Sequence, residues 1–136
     1  MTHSLTVPQW RTFFLLCADI LGPGDIRLPR SKSFCAWTVF TRLEEDLHYW
    51  QSGLPHKKEI DEAWITDGGT WGQPFSFDQL AHVIIPRKWG CEHPDKNGNP
   101  EKWVVQTQEI DALSAALKTE GIDHRLTDLI LEVRCF

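Results

Sequence analysis

What this sequence has little of narrows the field first. No apolar stretch approaches the ~18 residues of a membrane-spanning helix. Met1-Thr2-His3-Ser4 carries no Lys or Arg, and the apolar run Phe13 to Cys17 is shorter than the core of a secretory signal. The expected compartment is therefore the cytoplasm, with no membrane partner. The four cysteines, Cys17, Cys35, Cys91 and Cys135, are scattered, and three lie in apolar runs. That pattern predicts reduced, buried thiols, with Cys91 the exposed one. Base is also in short supply: 14 Lys and Arg face 19 Asp and Glu, a net charge of −5. A nucleic-acid binder needs a basic face, so that partner class is not expected.

Catalytic signatures are missing too. The chain has no Gly-x-Ser-x-Gly elbow, no Walker lysine and no dinucleotide fingerprint. Asp67-Gly68-Gly69-Thr70-Trp71-Gly72 is glycine-rich but reads as a tight turn. Cys91-Glu92-His93, even with His82 and Cys135, lacks the two short, regular ligand pairs of structural zinc. No metal and no cofactor is expected. Asp61, Glu62 and Asp67 cluster, but a regular strand points Asp61 and Glu62 to opposite faces, which spoils them as a catalytic pair.

What is present is an ordinary globular composition, 41% hydrophobic and 24% charged, with seven tryptophans against one tyrosine. At 136 residues the chain is expected to form a single domain, 1–136. Thr6 and Gln9 form a capping box, and Trp10, Phe13, Phe14, Cys17, Ile20 and Leu21 follow at helical spacing up to Gly22-Pro23-Gly24. A polar connection with Arg27, Arg30 and Lys32 leads to a strand over Phe34 to Phe40. Thr41 and Glu44 suggest a short helix from Arg42 to Gln51. Ile60 to Ile65 reads as a strand with Trp64 packed inward, and Ser76 to Gln79 caps one helical turn. His82 to Ile85 is a continuous apolar run suited to a central strand. Asn97-Gly98 marks a turn, which implies a hairpin from Val83 to Gln106 with a long tip over Gly90 to Glu101. Thr107 would cap a last helix through Ile110, Leu113, Ala116 and Leu117, closed by Gly121 and Ile122. Leu129, Leu131, Val133 and Cys135 alternate in a final strand. The fold class is α+β: a mostly antiparallel sheet of about five strands with two main amphipathic helices on one face.

Charge is unevenly placed. From Glu44 to Asp78 there are eight acids and two bases, whereas residues 1–43 carry five bases and two acids. The acidic stretch is interleaved with aromatics, the composition of an interface hot spot. The candidate partner-binding residues are Glu45, Asp46, Trp50, Asp61, Glu62, Asp67, Trp71 and Phe75, with Trp71 as anchor and Glu62 and Asp67 as charge partners.

Trp10 near the start of the first helix, the Ile-acid-x-x-Trp-Ile segment at Ile60 to Ile65, and the helix–Gly-Ile–turn–strand ending from Ile110 to Phe136 together resemble a group of small single-domain bacterial proteins of unknown function. More broadly the plan resembles the immunity proteins of polymorphic-toxin systems. That resemblance implies a compact cytosolic protein that binds and blocks one toxin domain. It transfers no functional residue to any position here.

The sequence reading is therefore a non-enzymatic cytosolic binding protein: an immunity protein that binds and occludes a cognate antibacterial toxin, itself basic and nuclease-like, acting as a monomer or weak homodimer. Two alternatives stand beside it. One is a small hydrolase-like enzyme with a dispersed active site drawing on Asp67, His82 or Cys91. The other is an adaptor subunit that lends an edge strand to another sheet.

Overall fold

Helix α1, Val7–Leu21, begins as its capping box requires: Thr6 Oγ1 accepts the Gln9 N–H, and Gln9 Oε1 accepts the Thr6 N–H at 2.9 Å. Its buried face is Trp10, Phe13, Phe14, Cys17 and Leu21, the stripe expected from the 3.6-residue period. These features come from a computed structural model of the chain. It describes residues 4–22, 24–25, 31–66 and 69–136.

A five-stranded antiparallel sheet runs beside this helix in the order β2-β1-β5-β9-β8. Its strands are β1 (Cys35–Val39), β2 (Trp50–Ser52), β5 (Leu80–Pro86), β8 (Arg125–Leu126) and β9 (Ile130–Arg134). Between β2 and β5 lie the short paired strands β3 (Trp64–Ile65) and β4 (Phe75–Ser76). Strands β6 (Lys88–Pro94) and β7 (Pro100–Thr107) form a two-stranded arm. Helix α3, Ile110–Thr119, packs on α1 and is closed by Gly121 at φ 68°, with the Ile122 N–H bonded to the Leu117 carbonyl at 2.9 Å. The buried sides of α1 and α3 and the inward residues of the sheet, Trp37, Val83, Ile85, Leu131 and Val133, share one core. The α+β class and the antiparallel sheet are those expected.

Several local expectations fail for identifiable reasons. The helix expected over Arg42 to Gln51 is only α2, Phe40–Glu45, with no side-chain cap. Its pattern of Leu47 and Trp50 is not one helical face. The chain turns at Leu47, whose φ is +52°, and Trp50 pairs with Trp37 in β2. The strand expected from Ile60 to Ile65 is a tight reversal in which Ile60 bridges Ile65. Here Asp61 prevails over strand propensity, because its carboxylate accepts the Glu62 N–H at 2.8 Å and the Trp64 indole N–H at 3.1 Å. The expected Val83–Gln106 hairpin splits at Arg87: β5 pairs with β1 and β9, while β6 pairs with β7. Its tip is short, with the Gly98 N–H on the Asp95 carbonyl at 3.1 Å. Thr107 ends β7 instead of capping α3, whose N-cap is Glu109. Leu129 is exposed rather than inward, and Cys91 is buried with the other three cysteines, all free.

Candidate functional site

The acid-and-aromatic segment is built around a stack of rings. Trp71 lies flat on Trp37 at 3.9 Å between centroids, and Trp50 stacks on Trp37 at 4.5 Å. Phe75 closes against Trp37 edge-on at 4.7 Å. The Trp71 indole N–H donates to the Gly53 carbonyl at 3.1 Å. Trp71 and Phe75 are thus buried core residues and present no anchor to a partner, contrary to their sequence reading. Trp50 is half-buried under the Arg42 guanidinium, 5.6 Å from its ring centroid.

Glu59, counted with the surface acids in the sequence, is also internal. Its carboxylate accepts the Thr70 N–H, the Thr70 hydroxyl at 2.8 Å and the His56 N–H at 3.0 Å. A Cβ at Gly69 would sit on that carboxylate, so the glycine permits the close approach. Glu59 is a clip for this loop, not a partner contact. Asp67, with Arg27 and Arg30, lies outside the described residues.

What reaches the surface is different. Trp64, expected inside, is 46% exposed. Its indole is fixed by Asp61, with Glu62 next in the turn and Asp78 two residues beyond its β4 partner Ser76. Asp61, Glu62 and Asp78 are exposed. The Asp61 carboxyl is held below its ordinary range first by the Glu62 backbone N–H, then by the Trp64 indole. A second exposed apolar residue, Leu47 at 74%, follows the exposed acids Glu44, Glu45 and Asp46. Asp46 is paired with Arg42 at 2.9 Å. The rings of Trp50 and Phe75 lie 5.4 Å apart in the aromatic stack. Sequence reasoning missed Trp64 and Leu47. The signal for Trp64 was the Asp61-x-x-Trp64 spacing, which fits a side-chain-locked turn as well as a strand.

The face of the sheet turned away from α1 and α3 carries polar groups. Thr38 pairs with His82, and His82 with Arg134, so the three share that face, as do Ile84 and Glu132. Tyr49 Oη lies 2.8 Å from His82 Nδ1, and His82 Nε2 lies 3.2 Å from Glu132 Oε1. Glu132 Oε2 accepts from Arg125 at 3.4 Å. Burial is the main force holding the His82 imidazole below its ordinary range, opposed by Glu132. Burial likewise raises the Tyr49 phenol, with Glu132 adding and Arg134 opposing. An open cavity of about 200 Å³ lies alongside, lined by Asp123, His124, Arg125, Glu132 and Arg134. Of the two described residues read as possible catalysts, His82 joins such a cluster and Cys91, on the β6 arm, does not; the buried Cys91 thiol is raised by desolvation. Among the described residues, no three of His, Cys, Asp and Glu are placed to hold a metal ion, and no helix is long and apolar enough to cross a membrane.

Comparison with protein-family models, with curated proteins and with solved structures finds no match for this chain.

Proposed function

We propose that this chain is a non-enzymatic cytoplasmic binding protein that docks a basic protein partner, and that it serves as an immunity protein covering the active surface of a cognate antibacterial toxin. The observation that carries the reading is Trp64: a half-exposed tryptophan held in one orientation by Asp61 and set among Glu62 and Asp78. A fixed aromatic loses little side-chain freedom on docking, and a large ring rimmed by charge is the usual form of an interface hot spot. The carboxylates select a basic partner and accelerate its approach. A nuclease-like toxin fits, because a surface that binds phosphate must itself be basic. Leu47 beside Glu45 and Asp46 supplies a second contact of the same kind.

The test is the binding of the candidate toxin domain to variants of this chain. Trp64→Ala lowers affinity by at least about 30-fold, the loss that a hot-spot residue of 2 kcal/mol gives. Glu62→Lys with Asp78→Lys slows association and flattens its dependence on salt. Unchanged affinity in all three substitutions, with the proteins folded, overturns the assignment of this face.

A further inference from the structure

The strand edges of this molecule are unequally protected. An edge strand offers a row of unpaired N–H and C=O groups to any strand that can lie beside it. The five-stranded sheet ends in β2 and β8, of three and two residues, short edges that give a neighbour little to pair with. Strand β7 is eight residues long and, among the described residues, pairs with β6 alone. The free side of β6 runs past Lys88, Gly90 and Glu92, two charges and a glycine that blunt it. The free side of β7 runs through Trp103-Val104-Val105, three residues of high strand propensity with no proline, glycine or charge among them. Trp103 is 64% exposed and Val105 57%.

The ladder of the arm determines which backbone groups are free. The Gln108 N–H donates to the Arg87 carbonyl at 2.7 Å. The positions in step with it, Gln106 on Trp89 and Val104 on Cys91, therefore exchange the hydrogen bonds of the arm. Trp103 and Val105 fall between them, so their N–H and C=O groups point away from β6. Their side chains share the face on which Gly90 leaves room, and the Trp103 indole lies across that glycine. The register shift beyond His93 ends the regular ladder at Lys102.

We propose that the free edge of β7 pairs antiparallel with β7 of a second copy of this chain, forming a four-stranded sheet about a two-fold axis at Val104. The edge is complementary to itself, and that selects the occupant. In this register Trp103 lies opposite Val105 of the second copy, and by symmetry Val105 lies opposite its Trp103. Both positions present free backbone groups, so each pair exchanges two hydrogen bonds. A slip of one residue would set free groups against groups already bonded within the arm. A slip of two would separate the aromatic ring from the valine. The aromatic and β-branched pair forms twice, and Lys102 falls opposite Gln106, so no like charges meet. A contact this short is weak: the chain is a monomer when dilute and pairs as its concentration rises. The pairing uses none of the docking residues around Trp64 and Leu47, so the two readings stand or fall separately.

The test follows the full chain by sedimentation velocity from about 10 μM to about 1 mM, the range in which small interfaces associate. The average mass rises from monomer toward dimer and no further, because the two-fold uses up the edge. Trp103→Lys weakens the dimer about tenfold or more, since each lost contact counts twice. Val105→Pro does the same and leaves the arm's own hydrogen bonds intact, because the N–H it removes faces the free edge. Oxidation reads the register. Lys102→Cys and Gln106→Cys, mixed in equal amounts, set their thiols opposite each other with Cα atoms about 4.5 Å apart, within disulfide reach. In either variant alone the like thiols lie about 13 Å apart along the strands. Cross-linking in the mixture and not in the single variants is the expected result. A monomer at every concentration overturns the proposal. So does a dimer that survives both folded substitutions, or a mixture that cross-links no better than its components.

Discussion

Leu47 illustrates how one residue can stand apart from the stability of the fold. Its φ of +52° is a region that residues with a Cβ enter at a cost of about 1–2 kcal/mol, and its side chain is largely in water. Leu47→Gly relieves that strain but enlarges the freedom of the unfolded chain by about 0.5–1 kcal/mol. The net expectation is a gain of about 0.5–1 kcal/mol in urea unfolding, together with weaker partner binding. A loss of stability would mean that the leucine packs against the fold. At His82 the relevant variable is pH. Its folded-state proton affinity is lowered by burial, so between that lowered value and about 6.5 the unfolded chain binds the extra proton. The stability from this residue is complete above the ordinary histidine range. It declines as pH falls through that range and levels off below the folded value. Urea midpoints measured between pH 7.5 and 5 should fall, and fall less steeply in His82→Gln.

At the level of elements, the arm of β6 and β7 is fastened by a residue that sequence periodicity does not single out. Gln108, just after β7, is buried. Its Oε1 accepts the Phe34 N–H at 2.9 Å, and its Nε2 donates to the carbonyls of Phe34 at 3.0 Å and Pro86 at 2.9 Å. One amide thus joins the start of α3 to the approach to β1 and the end of β5. Stacking of Trp89 on Phe34 at 5.5 Å lies on the same seam. Gln108→Ala leaves these backbone groups unpaired and should cost about 2–3 kcal/mol, with faster hydrogen exchange at the Phe34 amide. A cost under about 0.5 kcal/mol would show that water replaces the clip. Further along the arm, Gly90 permits the Trp103 indole to lie across the strand, since a Cβ there would stand 2.6 Å from the indole nitrogen. This leaves Trp103 64% exposed.

Across the whole molecule, what was legible from sequence was what local physics decides. The capping box of α1, the apolar stripe of Trp10 to Leu21, the turn at Gly98 and the closure at Gly121 and Ile122 each depend on residues a few positions apart. What was not legible depends on partners distant in the chain. Trp71 looked like a loop aromatic and is a core residue because Trp37, 34 positions earlier, meets it face to face. Trp64 looked like a strand residue and is exposed because Asp61 turns the chain. Glu132 lies between the inward Leu131 and Val133 and is nonetheless buried, its carboxylate met by His82 and Arg125. Within the acidic segment, burial separates Trp71 and Phe75 from the exposed Asp61 and Glu62. Its rings build the core, and its carboxylates with Trp64 and Leu47 form the surface.

The central claim, that this surface neutralises a basic toxin, is tested most directly by survival. The C-terminal region of the protein encoded by the adjacent upstream reading frame is expressed in a sensitive bacterium, and colonies are counted with this chain and with its Glu62→Lys, Trp64→Ala double variant. The account predicts full rescue by the parent chain and loss of rescue by the folded variant. Killing that the parent chain does not relieve, a neighbour that does not kill, or equal rescue by the variant would each contradict it.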